Sequence, residues 1–232
     1  MNAVLLLRLS APMQSWGTDS KFENRTTQRE PSKSGVIGML AAALGRERED
    51  SVEDLAMLGF GVRIDQPGQL LRDFHTARPE KAKNPYVTER YYLMDATFLV
   101  GLEGDITFLQ ELEIALKFPV FPIYLGRRSC PPVGNLCLGI RENITLRDAL
   151  YNEPWQGSEW YSRKIKDTFL RLTLVIDSAT IGSLRRRDVP ISFSHLHRKH
   201  AYRYVDDIPQ AVKIPNPYQK TITTEHDIWE EV

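Results

Sequence analysis

Two adjacent arginines, Arg127 and Arg128, lie in a proline-rich stretch that runs from Phe118 to Pro132. Proline holds φ at about −65° and has no N–H group, and Gly126 is free to take a positive φ, so the stretch is predicted to be a stiff loop. A guanidinium pair held by such a loop suits phosphate, because each planar fork makes bidentate, charge-assisted hydrogen bonds. The other interpretation, surface charge on a proline-rich connection, fits these residues equally well.

A second candidate anion site lies at Lys33, Ser34 and Gly35. The pattern predicts a helix here, because Ser32 or Ser34 can cap its start, apolar residues recur at positions 36, 37, 40, 43 and 44, and Gly45 follows. The three residues then lie at the positive end of the helix dipole, where backbone N–H groups attract an anion. The same N–H groups can instead bond to serine side chains or water, and that alternative stays open.

The balance of charge is even, with 30 basic and 30 acidic residues, which excludes a polycation that coats nucleic acid unselectively. Its distribution is uneven. Residues 185–203 are rich in Lys, Arg and His, which predicts a surface that faces a polyanion. Most charged residues between 205 and 232 are acidic, which predicts an acidic tail. Between Gln66 and Tyr91, cations such as Arg72 and His75 alternate with rings that can stack on bases.

Other classes of site are not indicated. No apolar run is long enough to span a bilayer and residues 1–12 lack the features of a signal peptide, so we expect a cytoplasmic protein with no membrane contact. Cys130 and Cys137 are expected to be ordinary thiols. His195, His197 and His200 are predicted to belong to a solvated basic face, and no metal or cofactor is predicted.

The elements that must position these residues follow the order β-α-β-β-α-β over residues 1–141. Strands are predicted near 3–9, 58–65, 93–102 and 121–125, with helices at 36–44 and after Asp105, the second ending at Pro119. This order predicts an α+β fold of the ferredoxin-like or RRM-like type, with residues 66–91 inserted as a β-hairpin. Residues 142–232 are predicted to form a small β-rich domain that ends in the acidic tail.

Five motifs occur in order along nearly the whole chain. They are Pro12-Met-Gln-Ser-Trp-Gly, Pro31-Ser-Lys-Ser-Gly, Arg72-Asp-Phe-His-Thr, Tyr124-Leu-Gly-Arg-Arg-Ser-Cys-Pro and Arg187-Asp-Val-Pro. Together they resemble the CasD-type subunits (Cas family five, RAMP superfamily) of type I-E CRISPR surveillance complexes, known as Cascade. The resemblance implies an RRM-like RAMP domain with a β-hairpin thumb.

The same resemblance implies a non-catalytic subunit that grips the repeat-derived 5′ handle of the CRISPR RNA and caps the protein filament on it. It implies a CasC-type backbone subunit and a CasA-type large subunit as partners, with target DNA reached indirectly through the complex. The residues expected at the handle are Lys33, Ser34, Gly35, Arg72, His75, Gly126, Arg127, Arg128 and Ser129, with Arg25 as a further candidate. Gln14 and Trp16 are more typical of core positions.

The alternative function is catalytic, since relatives in systems without a dedicated processing nuclease cut the precursor themselves. A metal-independent endoribonuclease needs a general base near the 2′-OH and a group that stabilises the leaving oxygen. His75 beside Tyr91 or Tyr92, or Lys199 with His200, are the candidates for these roles. No spacing in the sequence selects them.

Overall fold

The computed structural model describes residues 2–18, 24–78, 85–180 and 184–218, and the elements named here lie within those ranges. The strands are β1 (Asn2–Ser10), β2 (Met13–Gln14), β3 (Asn24–Arg25), β4 (Gly59–Gln66), β5 (Gln69–Ala77), β6 (Tyr86–Met94), β7 (Thr97–Asp105), β8 (Cys137–Glu142), β9 (Phe169–Asp177), β10 (Leu184–Ser192) and β11 (Lys199–Pro215). The helices are α1 (Lys33–Ala43), α2 (Glu53–Ala56), α3 (Ile106–Lys117), α4 (Leu146–Asn152) and α5 (Glu159–Lys164).

A seven-stranded sheet forms the centre of the molecule, in the order β10-β11-β9-β4-β7-β1-β8, and all of its neighbouring strands are antiparallel. In a second, smaller sheet, β6 pairs with β5 along its whole length and with the short strands β2 and β3 on its other side. The fold is therefore mixed α/β, mostly antiparallel sheet with few helices.

Strand β1 is buried on both faces, as predicted. Successive side chains of a strand point to opposite faces, so Leu5 and Leu7 enter the larger core cluster while Val4 and Leu6 enter the smaller one. Helices α1 and α3 cover the first face, and α4 packs on β4, β7 and β1 from the second. Neither face of the central strand is left to solvent.

The predicted starts of α1 and α3 are confirmed by their caps. The Ser32 side chain accepts a hydrogen bond from the Gly35 N–H at 3.3 Å, and the Asp105 carboxylate accepts one from the Thr107 N–H at 3.0 Å. Each cap satisfies an N–H group that has no partner within its helix. Gly45 follows α1 with φ of 77°, the left-handed conformation expected of a residue just past a helix end.

One predicted strand begins too early, and another is absent. The run at 93–102 is divided by a turn, where Asp95 has a positive φ of 54°, so β6 ends at Met94 and β7 begins at Thr97. Residues 121–125 are loop, because the Val120 and Phe121 N–H groups bond to carbonyls at the end of α1 instead of a sheet. The strand that follows α3 is β8.

Strands from the second half of the chain extend the central sheet. β9 pairs with β4 from Gly61 opposite Ile176 to Ile64 opposite Thr173, and β11 and β10 follow outward. The division of the chain near residue 141 stays a prediction. The acidic tail overlaps the end of β11, and its residues 219–232 lie outside the described part of the chain. Among the described helices, none has the length and apolar character to cross a bilayer.

Candidate nucleic-acid interface

The loop that carries Arg127 and Arg128 is held against β2 by its backbone. Ser15 N–H donates to the Leu125 carbonyl at 3.1 Å, and the loop closes on itself through Leu125 N–H to the Cys130 carbonyl at 2.7 Å. Gly126 has φ of 86°, and a Cβ at this position would lie 1.6 Å from the Ser15 carbonyl oxygen. Only glycine fits at this close approach, so Gly126 sets the position of the arginine that follows it.

The Arg127 guanidinium lies over the Tyr92 ring, with its carbon 4.6 Å from the ring centroid, and donates to the Arg25 carbonyl at 2.8 Å. Its other terminal nitrogen, Nη1, is buried and has no hydrogen-bond partner within the described residues, and the same is true of Arg90 Nε. Unpaired buried donors on charged groups are costly. Two such donors at one place mark a site that suits an anionic ligand.

The register of β6 explains why these side chains meet. Residues 88, 90 and 92 are every second residue of β6, so their side chains lie on one face of the β5–β6 hairpin. His75 and Asp73 of β5 lie on the same face, opposite Thr88 and Arg90. Strand β3 places Arg25 beside Arg90 in parallel register. We call Arg25, Arg90, Tyr92 and Arg127, together with the exposed Arg128 and Ser129 of the same loop, the arginine site.

The charge of the arginine site acts on the Tyr92 hydroxyl. Burial alone would raise the pKa of Tyr92, but hydrogen-bond donors on Arg127 and Ser129, with the positive charge of Arg127, lower its pKa below the usual value. A phenol that is stabilised as an anion reports a positive local potential. The same potential favours a phosphate oxygen.

Arg72 and His75, predicted together, lie on opposite faces of the hairpin. Arg72 forms an ion pair with Glu89 and lies 4.8 Å over the Phe74 ring, on an exposed surface. His75 Nε2 is 2.6 Å from Asp73 Oδ2 on the face that also carries Arg90. Of the two residues, His75 is therefore the one that shares a surface with the arginine site.

The predicted anion site at the start of α1 is filled from within the protein. The Lys33 N–H donates to Asp188 Oδ2 at 2.9 Å, and the Lys33 ammonium lies 3.3 Å from Asp177 Oδ2. Arg203 joins these two carboxylates, with bonds of 2.7 Å to Asp188 and 2.6 Å to Asp177. Lys33 therefore belongs to an internal charge network, while Ser34 is buried beside it and Gly35 packs against the Trp16 ring.

Residues 4–206 match the profile of the family described as CRISPR-associated protein (Cas_Cas5). The CRISPR system Cascade subunit CasD of Escherichia coli (strain K12) is 36% identical over 185 residues, which cover 71% of this chain and 83% of that protein. The chain belongs to the Cas5 family.

Two solved structures share the fold of this Cas5 protein. A chain of a CRISPR RNA-guided surveillance complex superposes with a TM-score of 0.75 at 33% identity, over 91% of both chains. A structure described as a Cas protein superposes with a TM-score of 0.69 at 38% identity, over 93% of this chain and 97% of that one. The family resemblance carried by the five sequence motifs is confirmed.

The catalytic candidates of this Cas5 chain do not share one surface. The Tyr91 hydroxyl donates to Glu89 at 3.2 Å, on the face opposite His75. Tyr92 is 3% exposed beneath Arg127, and Lys199 and His200 lie at the start of β11 in the other sheet. Within the described ranges, no three His, Cys, Asp or Glu side chains converge as metal ligands would.

The sequence analysis named neither Arg90 nor Asp188 as a site residue, and it considered Tyr92 only for catalysis. The two-residue spacing of Arg90 and Tyr92 was a usable signal for both, because it places their side chains on one face of a strand. Asp188 stands alone among basic residues, and its pairing with α1 across 155 positions leaves no local signal. Gln14 and Trp16 are core residues as predicted, joined by a hydrogen bond of 3.1 Å between the Trp16 indole and the Gln14 side-chain oxygen.

Proposed function

We propose that this chain is the CRISPR-RNA-binding subunit of a Cascade-type surveillance complex, where it grips the 5′ handle of the RNA and caps the backbone filament. The observation that carries the proposal is the arginine site, with its two buried donors that have no partner in the described chain. A phosphate bound beside Arg127 and Arg90 would supply the hydrogen-bond acceptors that the described residues do not.

The surface beside the arginine site suits single-stranded RNA. Tyr86, at the outer end of the hairpin, is on the same strand face as Arg90 and is 46% exposed, so its ring is accessible to a base. Tyr92 is covered by Arg127 and supports the guanidinium instead of stacking on RNA. Phosphates held by arginine and bases stacked on an exposed ring are the usual elements of single-strand recognition.

The fold supports the same proposal. The elements β1-α1-β4-β7-α3-β8 follow the order β-α-β-β-α-β, and their strands lie in the order β4-β7-β1-β8. We take this part as the ferredoxin-like RAMP domain and the β5–β6 hairpin as its thumb, inserted between β4 and β7. Lys33, Ser34 and Gly35 then act from within, by fixing the start of α1, and Arg72 offers its contact from the outer face of the thumb.

The partners and the lack of cleavage belong to the proposal too. The CasD relative is a subunit of a Cascade system, so we propose neighbours of the CasC and CasA types, contact with target DNA only through the complex, and a cytoplasmic location. We propose that precursor RNA is cut by another protein. If the purified chain cleaves repeat RNA and His75→Ala abolishes the cleavage, the endoribonuclease alternative replaces this one.

The test is RNA affinity as a function of salt for the variant Arg127→Ala with Arg128→Ala. Each phosphate contact to a single strand contributes about 0.7 to the slope of log affinity against log salt, so the slope should fall by roughly 1 to 1.5. Replacing both residues by lysine should restore charge but only part of the affinity, because the bidentate geometry is lost.

The matched control is Arg147→Ala with Arg171→Ala, which removes the same charge from two exposed positions elsewhere. Thermal melts verify that both variants fold. If the two double variants change the slope equally, the effect is general charge, and the loop at 125–130 is not the RNA site.

A further inference from the structure

A cleft of about 440 Å³ opens between the segment that precedes α1 and the edge strand β10. Four arginines line it: Arg29 from the segment, and Arg185, Arg186 and Arg187 from β10. We call it the β10 cleft. None of these four residues belongs to the arginine site, and the function proposed above does not use them.

The acidic groups of the β10 cleft are already paired. Glu30 and Asp207 both form ion pairs with Arg186. Asp188 is bound by Arg203 and by the backbone of α1. Within the described part of the chain, no ion pair includes Arg29, Arg185 or Arg187, so these three carry the net positive charge of the cleft.

An exposed ring adjoins Arg185 and Arg187. Tyr202 of β11 is 52% exposed, and the guanidinium carbon of Arg185 lies 3.8 Å from the centroid of its ring. Arg187 approaches the same ring at 5.9 Å, and its Nε is 3.5 Å from the His200 carbonyl. The two guanidinium groups are thus oriented by Tyr202, which lowers the entropy that they lose on binding a ligand.

We propose that the β10 cleft binds the phosphates of a single-stranded nucleic acid, with Arg29 and Arg187 on phosphate and a base stacked on the Tyr202–Arg185 pair. Three arginines that form no ion pair within the described chain suit a ligand with several negative charges in a row. A phosphate backbone presents its charges in this way. Arginine planes and tyrosine rings accept the face of any base. A folded protein partner would have to present several carboxylates and an apolar contact together.

The segment before α1 connects the two sites. The Arg25 carbonyl accepts a hydrogen bond from Arg127 in the arginine site, and Arg29, four residues later, lines the β10 cleft. An extended polypeptide advances at most about 3.3–3.6 Å per residue, so Arg25 and Arg29 lie close together along the protein. A single strand of nucleic acid could therefore reach both sites. The proposed binding at the β10 cleft depends only on residues of that cleft. It does not require that the loop at 125–130 contacts RNA.

The experiment measures binding of labelled single-stranded oligouridylate and oligothymidylate to the full chain across a range of salt. Arg185→Ala with Arg187→Ala should lower affinity for at least one of the two and reduce the slope by about 0.7, because Arg187 is the phosphate contact of this pair. Tyr202→Ala should lower affinity at least about 5-fold with little change of slope, whereas Tyr202→Phe should be close to wild type. The two oligonucleotides distinguish an RNA ligand from a DNA ligand.

Arg147→Ala with Arg171→Ala is again the control for loss of charge. The Arg127–Arg128 double variant, tested in parallel, separates this site from the arginine site: a slope that falls for the β10 pair alone supports this inference while refuting the function assigned to the loop. If the β10 pair and Tyr202→Ala leave affinity and slope unchanged for both oligonucleotides, the inference is overturned. Loss of assembly with partner subunits at unchanged oligonucleotide affinity also overturns it, since the cleft is then a protein interface.

Discussion

Gly126→Ala is the sharpest test of how the loop presents its arginines. A residue with a Cβ pays roughly 1–2 kcal/mol to adopt the left-handed conformation that Gly126 has at φ of 86°. The added Cβ would also lie 1.6 Å from the Ser15 carbonyl oxygen, so the loop must move away from β2. That movement breaks the hydrogen bond from Ser15 N–H to the Leu125 carbonyl, which is worth about 1 kcal/mol, and weakens those around it.

We therefore expect Gly126→Ala to lower the free energy of unfolding by about 2–4 kcal/mol, measured by urea denaturation. Gly134→Ala is the matched control. Gly134 has a similar φ of 78°, but its new Cβ would meet only the end of the flexible Arg8 side chain, at 3.2 Å. It should pay the conformational cost alone, about 1–2 kcal/mol. Equal losses for the two variants would show that contact with Ser15 does not hold the loop, and the reasoning would fail.

Two further predictions concern buried charge. Arg63→Met leaves the fully buried Asp65 without its countercharge and should cost about 3–5 kcal/mol at neutral pH. Burial already raises the pKa of Asp65, so the folded state takes up a proton before the unfolded state does. The deficit in urea unfolding should therefore shrink as the pH falls from about 7, and a growing deficit would contradict this. Asp188→Asn should cost about 3 kcal/mol at neutral pH. Burial acts to raise the pKa of Asp188, but hydrogen bonds and charge from Arg203 lower it overall, so its contribution is present above the unfolded value of about 3.9 and is lost as pH falls through the folded value. Thermal melts of wild type and variant should converge as the pH falls below the unfolded value of about 3.9, and a constant gap would refute the assignment.

Local signals predicted the elements that carry their own boundaries. Ser32 and Asp105 can be read as caps, and β1 as a run of apolar residues bounded by polar ones, because the relevant interactions span only a few positions. The loop at Gly126 and Arg127 was also predicted, because its prolines, glycine and arginines stand next to each other in the sequence.

Interactions between distant residues could not be predicted in this way. Arg203 lies in a stretch that composition marks as a polyanion-facing surface, yet the protein uses it inside, between Asp177 and Asp188. Counting charges cannot show which of them pair. The turn at Asp95 escaped prediction because its left-handed conformation is held by the surrounding strands, while the apolar residues on both sides form one uninterrupted pattern.

The late pairing of β4 has a consequence for synthesis on the ribosome. β9 follows β4 by about a hundred residues, and Asp188 follows the start of α1 by 155 positions. At about 5–20 residues per second, a nascent chain spends roughly 5 to 20 seconds with the outer edge of β4 complete but unpaired. An unpaired strand edge invites pairing with another chain. The period between the emergence of β4 and that of β9 is therefore when this protein depends most on chaperones, and slower elongation would lengthen it.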